Sequence, residues 1–326
     1  MACGLTPARR VCYAWRVSIA AWLIRGSAAL SVVHAAGCGR IGFATQALSS
    51  DGPTGDGLDG SAQDAAQLCD RTAQFGSPVL LAGVSTPAAE ATMRLLPDEL
   101  TGYLWSSRSG NIDLAKITRA SVGDAFAYQQ FEDVNTANPE FEPTISSDDS
   151  LLVFRSNRAG GAGGSDLYLA DRVVPGGPLV LRGQIAELSS ANGELQPFLA
   201  DAELIFVSDR SGADRIYRSR RVGSNFVPPT EIAELAVAGA SDSDPVMTAD
   251  GKTIYFGSTR PGGIAGVDIW SASRVNDMAP FAAATLVANV NSDVTDAPSW
   301  ISVDQCRLYV SSNRAGSPDV YVATRP

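Results

Sequence analysis

The feature that most narrows the possible folds is a motif that returns five times between residues 102 and 323, at a period near 50 residues. A short apolar run leads into Ser-x-Arg or a close variant. A glycine-containing turn follows, and the unit closes on Asp-apolar-aromatic. The copies read GYLWSSRSGNIDLA (102–115), LLVFRSNRAGGAGGSDLYLA (151–170), LIFVSDRSGADRIYRS (204–219), TIYFGSTRPGGIAGVDIWSA (253–272) and LYVSSNRAGSPDVYVA (308–323). Their arginines, Arg108, Arg158, Arg210, Arg260 and Arg314, lie 50, 52, 50 and 54 residues apart. Runs rich in Val, Ile, Tyr and Phe between polar turns are strands. A unit of this length, with no sustained 3.6-residue apolar period anywhere, is a propeller blade and not a pair of solenoid helices.

Each unit supplies four strands. Strand a holds segments such as Pro143–Ser146 and Pro245–Thr248, strand b the apolar run before Ser-x-Arg, and strand c the Asp-Leu-Tyr type of segment. Strand d is a ten-residue frame with apolar ends, at Leu179–Leu188, Phe226–Leu235 and Phe281–Val290, with Phe126–Val134 a looser copy. The fifth unit stops after strand c at Pro326, and the missing frame stands at the other end of the repeats, as Phe75–Val84. The expectation is an all-β, five-bladed β-propeller over residues 69–326, in which residues 75–84 pair with strand c of the fifth blade near 318–324. An open ring would leave two strand edges free to aggregate, which gives closure its physical motive.

These units resemble the TolB-type, WD40-like propeller repeats, whose pattern runs Pro-x-x-Ser-x-Asp-Gly, apolar strand, Ser-x-Arg-x-Gly, Asp-Ile-Tyr. Thr248-Ala249-Asp250-Gly251 matches the Ser-x-Asp-Gly hairpin with Thr for Ser, and Ser147-Asp148-Asp149 is close to it. The third and fifth units lack the glycine, and Arg215 stands where strand c of the third would carry Asp. The resemblance implies a periplasmic or surface propeller that binds proteins or other ligands and is not itself an enzyme.

Ahead of the repeats, residues 1–37 contain Arg9, Arg10, Arg16 and Arg25, no acid, and an apolar stretch from Ala28 to Val33. This is the plan of a secretory signal. His34-Ala35-Ala36-Gly37-Cys38 resembles a bacterial lipobox, which makes Cys38 the lipidated first residue of the mature chain. Ala35 replaces the usual Leu, and Arg25 interrupts the apolar run. An ordinary cleaved signal is a second reading. A third, an uncleaved membrane helix over 17–37, must bury Arg25 at about 2.5–3.5 kcal/mol. Residues 38–68, rich in Asp, Gly and Ser, read as a flexible linker.

Composition removes whole classes of function. The one histidine of the chain is His34, so a chain that loses 1–37 has no His-based acid–base, nucleophile or zinc chemistry. That loss also leaves 21 basic against 35 acidic groups, a net charge of −14, which is unsuited to nucleic acid. Neither a catalytic group, a metal nor a cofactor is expected. Membrane contact is expected through the lipid anchor only.

Three residue sets remain as candidates. The arginines and the following Asp113, Asp166, Asp268 and Asp319 recur too regularly for one active site. They read as structural, each Asp bonding loop amides or an arginine of its own or a neighbouring blade. Just before strand a stand Glu90, Glu140, Glu194, Asp242 and Asp296, with Glu142 and Asp244 beside them. These acids are expected at one mouth of the central channel, either as a cation or partner site or as hydrated loop acids. Cys69 and Cys306 remain once Cys3, Cys12 and Cys38 are accounted for. Cys306 falls in the a–b turn of the fifth blade and Cys69 just ahead of its closing strand, so a disulfide is expected, with two separate buried thiols as the alternative.

The leading functional expectation is a non-enzymatic propeller, held at the periplasmic or outer surface of the envelope, that binds another envelope protein or a glycan. The alternative is a carbohydrate-active enzyme, a glycoside hydrolase or lyase, that uses channel-mouth carboxylates. A third reading is a structural propeller that meets its own copies or the cell wall.

Overall fold

Alternating apolar and polar residues between tight turns yield antiparallel four-stranded blades, and five such blades form the ring. The computed structural model describes residues 69–130 and 133–326. The signal segment, Cys38 and the linker lie outside the described residues. Blade 1 is β2 (Glu90–Leu95), β3 (Thr101–Ser106), β4 (Asp113–Thr118) and β5 (Ala127–Gln130). Blade 2 is β6 (Glu140–Ile145), β7 (Leu151–Ser156), β8 (Asp166–Arg172) and β9 (Leu179–Gln184). Blade 3 is β10 (Glu194–Leu199), β11 (Glu203–Ser208) and β12 (Arg215–Val222), with β13 (Asn225–Phe226) and β14 (Thr230–Glu231) both pairing β12. Blade 4 is β15 (Asp242–Met247), β16 (Thr253–Ser258), β17 (Asp268–Ser273) and β18 (Thr285–Leu286). Blade 5 is β19 (Asp296–Ile301), β20 (Arg307–Ser312), β21 (Asp319–Thr324) and, from the other end of the chain, β1 (Val79–Leu80).

The innermost strands β2, β6, β10, β15 and β19 touch in cyclic order, with β19 returning to β2, so the ring is closed. The outer frames are less regular than the inner strands, but their apolar ends do the expected work. Phe75 and Val84, Phe126 and Val134, Leu179 and Leu188, Phe226 and Leu235, and Phe281 and Val290 are all buried between blades. The non-covalent seam falls where the bookkeeping of strands puts it. Val79 and Leu80 pair with Val322 and Tyr321, while the Gly76 and Leu81 amides donate to the Thr324 and Val320 carbonyls.

Every innermost strand slips register against strand b near its third residue. In four blades that residue takes a left-handed backbone: Thr92, Glu142, Gln196 and Asp244 have φ between 45° and 54°. The prolines that follow, Pro143, Pro197 and Pro245, fit there because a bulge residue needs no ladder amide. Blade 5 carries Pro298 at the third position, which cannot adopt positive φ, and its shift comes one residue later, between Pro298 and Trp300.

Cys69 and Cys306 form the expected disulfide, with Cα atoms 5.7 Å apart, and it ties the closing segment to the a–b turn of its own blade. The bond spans 237 residues of sequence, so breaking it should lower stability by about 2–5 kcal/mol. A Cys69→Ser variant should melt earlier in denaturant titration and lose hydrogen-exchange protection first at Gly76 and Leu81. Unchanged protection at both amides would show that the seam holds without the staple.

Candidate functional site

The repeated acids and arginines find each other. Arg108 Nε lies 2.8 Å from Glu90, and the other arginines use Nη2: Arg158 to Glu140 at 2.9 Å, Arg210 to Glu194 at 2.9 Å, Arg260 to Asp242 at 2.8 Å and Arg314 to Asp296 at 2.5 Å. Each Nη2 also donates to the carbonyl that ends the preceding blade's strand d frame, at Val84, Val134, Leu188, Leu235 and Val290 in turn. One guanidinium therefore holds the start of its own strand a and the end of its neighbour's strand d. The aromatic of the Asp-apolar-aromatic motif stacks under this arginine, as Tyr168, Tyr217, Trp270 and Tyr321. Blade 1 has Ala115 at that position, and Tyr128 from strand d takes over, with the Arg108 guanidinium 4.2 Å from its ring.

This geometry corrects the expectation for the strand a acids and decides between the two alternatives for the strand c aspartates. Glu90, Glu140, Glu194, Asp242 and Asp296 do begin the five innermost strands at one end of the channel, but all are at most 1% exposed. The inserted arginine balances the charge of each one and nearby hydroxyls donate to it, so they are clamps between blades and not an open binding ring. The arginines pair with these acids and not with the strand c aspartates, which instead cap their own turns. Asp166 accepts from the Ala162 and Gly163 amides and Asp268 from the Ile264 and Ala265 amides. A Cβ on Gly161 or Gly263 would sit about 2 Å from those carboxylates, which explains the paired glycines of the long turns. In shorter turns Asp113 and Asp319 accept from Ser109 and Ser317. Arg215, in place of the third Asp, reaches the Val237 and Ala240 carbonyls in the connection that leads into blade 4.

A residue four places before each clamp acid completes its shell. Thr86, Thr136, Ser190 and Ser292 each donate an amide and a hydroxyl to it. Blade 4 has Ala238 there, and Asp242 Oδ2 is buried without a partner.

A second set of contacts between blades lies at the opposite, a–b hairpin end, and was not anticipated. Tyr103 accepts from Arg172 and donates to Asp149. Tyr309 accepts from Arg119 and donates to Glu99, and Tyr255 accepts from Arg325. Burial and the acid beside them raise the Tyr103 and Tyr309 phenols well above their usual range. Arg119, Arg172, Arg274 and Arg325 repeat after strand c at nearly the blade period, which is the signal that marks them.

The third and fifth positions of strand a reach toward the channel. Gln196 donates its amide to Glu142 and its side chain to Asp244, and so links blades 2, 3 and 4. Arg94 extends from blade 1 to within 5.3 Å of the Phe198 ring in blade 3, which is not its neighbour, so its guanidinium crosses the channel. Its three side-chain nitrogens are buried with no hydrogen-bond partner. Burial first, then repulsion from Glu142, pushes the Asp244 carboxyl up to about 7 against the pull of Arg94. Burial likewise draws Arg94 down to about 10.

Beyond Phe198, at the a–b hairpin mouth, a cavity of about 300 Å³ opens. Its wall takes the last residue of every innermost strand, Leu95, Ile145, Leu199, Met247 and Ile301, together with Phe198, Trp300 and the exposed Val303. Each hairpin also carries an aspartate: Asp98, Asp148, Asp201, Asp250 and Asp304. Hydroxyls of Ser146 and Ser150 hold Asp148 below the usual carboxylate range. Despite opposing burial, Thr248 and Ser302 do the same for Asp250 and Asp304. Among the described residues no group of three or more His, Cys, Asp or Glu is placed to hold a metal ion.

Neither a protein-family model nor a curated protein matches this chain. A thermostable family-43 glycoside hydrolase aligns with a TM-score of 0.52 over 76% of this chain and 91% of its own, at 12% identity. TolB from Acinetobacter baumannii aligns with a TM-score of 0.44 at 15% identity, over 74% of this chain and 56% of its own. An exo-beta-1,3-galactanase from Phanerochaete chrysosporium gives 0.47 at 14%, over 76% and 66%. The chain thus spans 56% and 66% of the length of these last two. The likeness to the hydrolase is one of fold.

Two stability measurements follow from the site. Ala238→Ser should supply the missing hydroxyl to Asp242 and raise unfolding free energy by about 1 kcal/mol, whereas no gain would mean that Asp242 Oδ2 is satisfied otherwise. The folded Asp244 carboxyl keeps its proton to about pH 7 while the unfolded one releases it near 3.8. Stability is therefore lost as pH rises between those values. Asp244→Asn should be more stable than the parent by up to about 4 kcal/mol above pH 7 and equal to it below pH ~4. A pH-independent difference would contradict this assignment.

Proposed function

We propose that this protein is a non-enzymatic binding module of the cell envelope, carried on a lipidated Cys38 and the 38–68 linker, which receives an envelope protein or a glycan at its a–b hairpin mouth. The observation that carries this reading is the apolar funnel. The repeated polar residues are consumed in clamps between blades, while one apolar side chain from each blade lines an open cavity of about 300 Å³. Open concave apolar surface with a polar rim is what a binding site offers. A second reading, two-carboxylate carbohydrate chemistry, draws on Glu142 and Asp244, since one channel acid that titrates near 7 is suited to proton donation. Arg94 and Phe198 stand between that pair and the funnel, which favours binding.

Affinity capture from solubilised envelopes, with the protein as bait, tests the reading. A specific component should be retained and then lost with the rim variants Val303→Lys and Ala249→Lys, which alter exposed side chains. Capture that ignores these variants, or polysaccharide cleavage abolished by Asp244→Asn, would overturn it. Mass spectrometry of the mature N-terminus should find a diacylglycerol-modified Cys38, and any other start removes the anchor.

A further inference from the structure

The funnel's chemistry specifies more than the presence of a partner. We infer that its occupant is a protein segment that inserts one large apolar side chain between flanking lysines or arginines. This rests on the binding reading above and names the partner's contact chemistry. The wall is more apolar than polar, and a cavity of about 300 Å³ lies at the small end for ligand pockets, suited to an anchoring side chain and too small for an extended chain. The buried polar side chains of the lining, Thr248 and Arg274, already spend their hydrogen bonds on Asp250 and on the Gly251 and Asp277 carbonyls, so the hydroxyls of a saccharide would find few free partners in place of water.

Charge at the rim then selects the anchor's neighbours. Asp98, Asp148, Asp201 and Asp250 are exposed at the hairpin tips. Asp304 is shared with Arg307, 3.0 Å away, and Arg274 spends its donors on the Gly251 and Asp277 carbonyls while facing Glu203. The exposed cation on the five hairpins is Lys252, beside Asp250. An apolar site inside this ring attracts a basic segment and repels an acidic one, with an on-rate that falls as salt rises. Where hydroxyl donors lower the aspartates' affinity for protons, as at Asp148 and Asp250, the field persists in mildly acidic surroundings.

A random peptide library displayed on phage, panned against the purified full-length protein at low salt, tests the inference. Enriched peptides should share a Phe, Leu or Trp flanked by Lys or Arg. Their affinity should drop at least tenfold with Asp98→Lys plus Asp201→Lys and with about 0.5 M salt. Ala249→Lys removes no hydrogen bond of the fold and should act in the same direction, with circular dichroism confirming that all variants remain folded. Enrichment of neutral or acidic peptides, no enrichment, or binding indifferent to rim charge would each overturn the inference. If envelope capture still depended on Val303 in those cases, the binding reading would stand and only the partner's chemistry would be wrong.

Discussion

A guanidinium that reaches a fully buried carboxylate and binds two blades at once is the interaction on which the rest of the ring depends. Apolar contact between neighbouring blades sets no register along the axis, and the tyrosine–arginine contacts at the hairpin end do not occur at every seam. The arginine after strand b adds direction, because it satisfies the carboxylate that starts its own strand a and the carbonyl that ends the neighbour's strand d. A buried ion pair of this kind contributes little net stability over a well-packed apolar substitute. Removing one partner strands a charge, so the pair acts more as a specification of register than as glue.

The exceptions show how the design tolerates drift. Where the stacking aromatic is missing in blade 1, Tyr128 supplies a ring from strand d. Where the capping hydroxyl is missing in blade 4, one oxygen of Asp242 goes without. The disulfide belongs to the same logic. Four seams between strands c and d lie within continuous chain, and the fifth joins segments 237 residues apart, which is where a covalent bond removes most unfolded-state freedom. The funnel inherits its shape from this frame, since five strands held in register end in five apolar residues at one level.

Much of this was legible in the sequence. Blade number, ring closure by 75–84, the Cys69–Cys306 bond and the buried ends of the ten-residue frames all follow from repeat spacing and apolar pattern. The partner of each arginine did not, because spacing says nothing of burial: the strand a acids read as solvated when judged one at a time. Their separation from the arginines, 18 residues in four blades and 16 in the third, was the overlooked sign of a shared structural unit. Arg94 was harder to see, since it breaks the repeat. It is the lone cation in the five innermost strands, at a position filled elsewhere by Thr144, Phe198, Val246 and Trp300. A departure from a repeat identifies an unusual position, but only the ring geometry shows that it spans the channel.

A double-mutant cycle on Glu140 and Arg158 tests the central claim most directly, with unfolding free energies measured for Glu140→Gln, Arg158→Met and the pair. The account predicts a loss of about 3–5 kcal/mol for Arg158→Met, which leaves the fully buried Glu140 without its cation, and a smaller loss for Glu140→Gln, because Arg158 is partly exposed and keeps the Val134 carbonyl. The double variant should lose much less than the sum. A loss below about 0.5 kcal/mol for Arg158→Met, or losses that simply add, would contradict the clamp as the interaction that holds neighbouring blades in register.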